Sequence, residues 1–164
     1  MGRKSLANER REQILDAFEV CIRQCGLEGS SLEKVAQEAG VKRSIIRHYI
    51  GNRSDLIAAA VDRIINTYQQ DLAAAVQNLP QNQLMPELLD YLFCYEEGGE
   101  RSHYDILTTA LWAAHERDPN THQLLLNLYQ EFETLIFQAL THAYPHSPQS
   151  QRQGIAFSIM CLAN

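Results

Sequence analysis

Apolar residues recur along this chain at intervals of three and four, the period of a helix with one buried face. No segment keeps the alternation of two that a half-buried strand needs. Ile14, Leu15, Phe18, Cys21, Ile22 and Cys25 mark one stripe on a helix over about residues 8–24, and Gly26 ends it. Ser30-Ser31-Leu32-Glu33 reads as a capping box, in which the Ser30 hydroxyl takes an amide of the first turn and Glu33 reaches back. A short helix follows with Leu32, Val35, Ala36 and Ala39 inward. Gly40 stops it with a left-handed backbone, and Val41, Ile45, Ile46 and Tyr49 begin another. Asn52, with Asp55 three residues on, caps a long helix to about Leu79, where Pro80 breaks the pattern. Further helices are predicted from Leu84 to Phe93, from His103 to Glu116, from Asp118-Pro119 to about Ala143, and from Gln149 onward. The fold class is all-α: a three-helix head followed by a helical body.

Charge divides the same way. A net charge of −6 argues against a nucleic-acid partner until it is resolved along the chain. Residues 1–55 hold 10 Lys+Arg against 8 Asp+Glu, a net of +2, whereas residues 56–164 hold 4 against 12, a net of −8. A basic head on an acidic body suits a nucleic-acid reader with a separate second function, and the acidic part would confine contact to one end. No run approaches the roughly 18 apolar residues of a membrane span, and the basic start of the chain runs into Glu9-Arg10-Arg11-Glu12 instead of an apolar signal core. A cytoplasmic protein without membrane contact is expected.

The stretch from Ser30 to Leu56 carries the chemistry. Ala36 lets two helices cross closely, Gly40 makes the turn and Val41 plugs the junction. The outward positions of the second helix are then Lys42, Arg43, Ser44, Arg47 and His48, all able to donate to phosphate or base edges. Over about residues 10–65 this arrangement resembles the TetR family of transcriptional regulators: an apolar first helix, two hydroxyl residues, Val-Ala-x-x-Ala-Gly-Val and a short recognition helix. The resemblance implies that Ser31 meets phosphate, that Tyr49 and Arg53 clamp phosphate, and that Lys42, Arg43, Ser44, Ile45 and Arg47 approach bases, Ile45 reaching a thymine methyl group. Three positions depart from the family: Lys42 where a serine-like cap is usual, Arg47 where tyrosine is common, and Ile50 where phenylalanine is common. Ile45-Ile46-Arg47-His48-Tyr49 and the tail from Arg152 to Met160 resemble the BetI-like branch.

The resemblance further implies a DNA-binding domain at 1–52 and a ligand-binding and dimerisation domain at 53–164. The expected partners are duplex DNA at a palindromic operator, a second copy of the chain and a small-molecule effector. Leu125, Leu128, Phe132 and Leu135 form one stripe of a helix that has a second apolar stripe, so they are expected to face a partner copy together with Ile155 and Ile159. The last apolar face meets no stop signal before Asn164, so that helix is expected to run on. Tyr91, Phe93, Tyr95, His103, Tyr104, Trp112 and His115 concentrate aromatic and polar tips in the central helices, a lining for a mostly apolar or cationic ligand. Trp112 is the leading candidate.

Other classes fit poorly. The six histidines lie in separate segments without a nucleophile, a glycine-rich phosphate loop or metal-ligand spacing, so no catalytic residue and no cofactor is assigned. Cys21 and Cys25 stand one turn apart with no His or acid cluster beside them, and are read as small buried hydrophobes rather than metal ligands. The alternative function is a helical interaction module whose basic head binds an acidic protein without reading DNA.

Overall fold

The computed structural model describes residues 2–93 and 103–162, with side chains for 6–90 and 106–162. Every regular element among them is helical: α1 (Gly2–Gly29), α2 (Leu32–Glu38), α3 (Arg43–Tyr49), α4 (Arg53–Asn78), α5 (Gln81–Phe93), α6 (His103–Ala114), α7 (Pro119–Ala143) and α8 (Gln149–Leu162). Gly26 interrupts α1 with φ 68 and ψ 175, so the stripe ends where expected and a separate turn follows. The helix starts earlier than the predicted residue 8, because the stretch before it has no breaker.

The chain divides into two compact units, residues 2–63 with 103–125 and residues 64–93 with 126–162. In the first, α1 packs on α2, α3 and α6. Ile14, Leu15, Phe18, Val35, Ile46, Leu56, Ile57, Leu107 and Leu111 are withdrawn from water almost completely. Each such side chain contributes about 1.5–3 kcal/mol by burial before conformational entropy is set against it.

Polar ties hold this unit's helices in register. Gln13 donates to the Ala39 carbonyl (2.8 Å), Arg53 to the Leu27 carbonyl (2.6 Å), and Arg117 pairs with Glu28 (2.8 Å). Arg63 of α4 meets three carboxylates from one face of α1: Glu12 (3.3 Å), Asp16 (2.7 Å) and Glu19. Burial pulls the Arg63 guanidinium downward, but the Glu19 charge and the hydrogen bonds that Arg63 donates to Asp16, Glu19 and Glu12 outweigh it and hold the group above its ordinary value. Asp118 opens α7 as expected, accepting from the Asn120 amide (3.1 Å) and the Thr121 hydroxyl (2.7 Å).

The second unit is built from the later part of α4, α5, most of α7, and α8. Its core is Leu84, Met85, Ile136, Ala139, Leu140 and Ala156, flanked by Leu72, Val76, Phe137, Ile159 and Met160. Tyr68 meets Phe132 edge to face, with centroids 4.6 Å apart. Arg152 closes the α7–α8 turn by donating to the carbonyls of Ser147 and Tyr144, the latter at 3.1 Å. Among the described residues, no helix is long and apolar enough to cross a membrane.

Candidate nucleic-acid interface

Local chemistry places α2 and α3. The cap of α2 is Ser31, not Ser30: Ser31 sits in extended backbone and its hydroxyl accepts from the Lys34 amide at 3.3 Å. Ser30 is fully buried and donates instead to the Gly26 carbonyl (2.7 Å). The cap thus lies one residue later than expected and the reciprocal box is not formed: the third position after Ser31 is Lys34, and Glu33 forms an ion pair with Arg43. Two bonds close the other end of α2, Val41 amide to Ala36 carbonyl (2.9 Å) and Gly40 amide to Gln37 carbonyl (3.2 Å). Gly40 at φ 64 supplies the left-handed residue that this paired arrangement requires.

α3 starts immediately after. Lys42 is its N-cap with no side-chain bond to the helix, and Ile46 anchors the helix in the core at 0% exposure. With that face inward, Lys42, Arg43, Ser44, Arg47 and His48 are exposed, as expected, while Ile45 and Tyr49 are half-buried. Tyr49 packs edge-on to His48 at 4.9 Å. After Gly51, Asn52 and Asp55 cap α4 reciprocally: the Asn52 amide donates to Asp55 (2.8 Å) and the Asp55 amide to Asn52 (3.1 Å). Arg53 gives one nitrogen to Leu27, and Ser31 is half-buried with its oxygen turned to its own helix. The outward face of α3 thus carries three fixed cations and three further donors or aromatic tips. A groove of about 760 Å³ along α1 and the end of α2 is lined by Glu9, Glu12, Asp16 and Glu38, charge of the wrong sign for phosphate.

No protein-family model matches the chain. The HTH-type transcriptional regulator BetI of Vibrio vulnificus (strain YJ016) is 28% identical over 149 residues, covering 83% of this chain and 73% of that protein. The crystal structure of a putative TetR-family transcriptional regulator from Rhodococcus sp. superposes with a TM-score of 0.68 at 20% identity, covering 95% of this chain and 86% of the other. The fold is thus similar to that of TetR-family regulators. A second solved structure, the transcriptional regulator FadR from Bacillus subtilis in complex with stearoyl-CoA, has a TM-score of 0.65 at 14% identity, covering 93% and 84%. The curated relatives, BetI and PksA among them, are helix-turn-helix transcriptional regulators.

The residues expected to line a ligand site are distributed differently from the reading along the sequence. Phe93 and Tyr95, and the side chains of Tyr91, His103 and Tyr104, lie outside the described residues. Trp112 is 47% exposed. Leu107, Leu111 and Ala114 take the buried face of α6, and Trp112 stands about 100° around the helix from Leu111. It meets His115 edge-on (4.8 Å), and His115 stacks on His122 at 5.7 Å.

The dimer residues separate as well. Leu125, Leu128 and Leu135 are already buried within one chain, and Phe132 and Ile159 are half-buried. Of the six, Ile155 alone is exposed, joined on the same unit by Phe157, Leu162 and Leu126. The cysteine reading also needs correction. Cys21 is buried, and burial pushes its thiol up, but Cys25 is exposed with its Sγ on the Cys21 carbonyl (3.1 Å). Among the described residues, no group of three or more His, Cys, Asp or Glu side chains could hold a metal ion. Two features escaped sequence reasoning. The Glu33–Arg43 pair leaves no mark along the chain. Arg63 does leave one, since it is the only basic residue between Arg53 and Arg101.

Proposed function

We infer that this chain is a TetR-family, cytoplasmic, ligand-responsive repressor that binds a palindromic duplex operator as a homodimer and releases it when a small molecule binds the domain at 53–164. The observation that carries the DNA-reading part is the outward face of α3, where Lys42, Arg43, Ser44, Arg47 and His48 are exposed around the buried anchor Ile46. The N-terminal residues of such a helix reach deepest into a major groove. Arg47, which departs from the family's usual tyrosine, suits bidentate pairing with guanine, and Lys42 suits phosphate. Ile45, half-buried at the edge of that face, fits a thymine methyl group. Ser31, Tyr49 and Arg53 flank the helix as phosphate contacts. An effector is supported by the neighbouring fold solved with stearoyl-CoA. Dimerisation is supported by the apolar side chains that α8 leaves in water, Ile155, Phe157 and Leu162.

The test is selection of bound duplexes from a random-sequence library, followed by anisotropy titrations across salt concentrations. Arg47→Ala should weaken binding by about 1–3 kcal/mol and relax preference at one base pair per half-site. Lys42→Ala should weaken all sequences alike and lower the salt slope by about 1. Unchanged binding in both variants would remove α3 as the reading element, and a site without two-fold symmetry would remove the homodimer.

A further inference from the structure

We propose that Glu33 is a positioning residue for Arg43 and thereby sets sequence preference at one base pair of each half-site. The inference rests on the reading of α3 as the DNA-facing helix. Arg43 is the first residue of α3, and its side chain is 48% exposed. Glu33, in the first turn of α2 and 60% exposed, reaches across the helix-turn-helix so that its Oε1 takes Nη1 of Arg43. The first turn of α2 does not need that carboxylate, because the Ser31 hydroxyl already satisfies the Lys34 amide.

An arginine on an open surface has several rotatable bonds and samples many rotamers. A carboxylate on one terminal nitrogen selects among them while leaving other N–H groups of the planar fork for guanine O6 and N7. Ordering the side chain before contact lowers the entropy lost on reading the correct base. The pair has little to do with folding, since exposed ion pairs contribute little to stability. It is also unfavourable for bulk affinity, because a carboxylate beside a DNA-facing helix opposes the phosphates. What such a group improves is discrimination, penalising contacts that do not bring the guanidinium a base edge.

The experiment compares the wild-type chain, Glu33→Gln, Arg43→Ala and the double variant. Each is titrated with the duplex that the wild type selects from a random-sequence library, with its single-base-pair variants, and with an unrelated duplex. Arg43→Ala should erase preference at one base pair per half-site. Glu33→Gln should lower discrimination at that same pair about tenfold, strengthen binding to the unrelated duplex severalfold and leave the thermal midpoint unchanged. In the Arg43→Ala background, Glu33→Gln should change discrimination no further. Overturning results are a Glu33→Gln protein that keeps full preference at the Arg43 base pair, or an Arg43→Ala protein that loses preference at none; in either case a selected wild-type site leaves the DNA-reading role standing. A wild type that selects no duplex overturns both.

Discussion

At Gly40 the backbone is left-handed, and the space where a Cβ would stand is open, so the demand there is conformational rather than steric. Gly40→Ala should lower stability by about 1–2 kcal/mol in urea unfolding without changing the fold. Gly51→Ala should cost more, because a Cβ there collides with the Asp55 carboxylate that caps α4. The need at Gly40 was legible as a glycine between apolar stripes. Which serine caps α2 was not: Ser30 and Ser31 are equally able, and the choice falls to Ser31 because Ser30 is buried on the Gly26 carbonyl. Asp118 was legible too, as a cap before proline. The Thr121 hydroxyl and then the Asn120 amide hold its carboxyl below the ordinary range. Its stabilising contribution is therefore complete above the unfolded carboxylate value near pH 3.9 and lost as pH falls through the lower folded value. In acid titrations followed by circular dichroism, Asp118→Asn should be less stable than the wild type at neutral pH, and the gap should close as pH drops below about 4.

Between elements, α1 and α4 are joined by charge as well as by apolar packing. Glu12, Asp16 and Glu19 are spaced to share one helical face, a row visible in the sequence; the cation that answers it is at least 44 residues away and is identified only by packing. Arg63 and Glu19 are largely withdrawn from water, with side chains 18% and 10% exposed. Arg63→Met should destabilise by about 2–4 kcal/mol, and Glu19→Gln in that background should recover part of the loss, both read by urea unfolding. A fully additive double variant would show that the two groups are not coupled.

The whole molecule separates two kinds of surface, a cationic helix face on the first unit and an apolar one on the second. Both Ile155 and Phe157 lie in α8, which buries only Ala156 completely. If this face joins two copies, Phe157→Glu should shift the protein to monomer in light scattering and weaken operator binding, while helical content is kept. A dimer unaffected by that change would move the interface elsewhere. The units themselves were not readable along the chain: residues 103–125 group with 2–63, so the head is packed together with a segment that begins about 40 residues further along the chain.

Helix positions, the Gly40 turn, the reciprocal cap at Asn52 and Asp55, and the outward set on α3 were determined by sequence alone, because each depends on residues within about one to three turns of one another. Even the TetR-family likeness is carried mainly by such short-range spacing. Tertiary structure decided the rest. It gave Glu33 to Arg43 and Arg63 to the acid row of α1, buried Leu125, Leu128 and Leu135 within one chain, and turned Trp112 toward water. Periodicity shows that a helix has an apolar face, but which neighbour covers that face depends on how the helices pack, and the free charges and exposed aromatic rings follow from that packing.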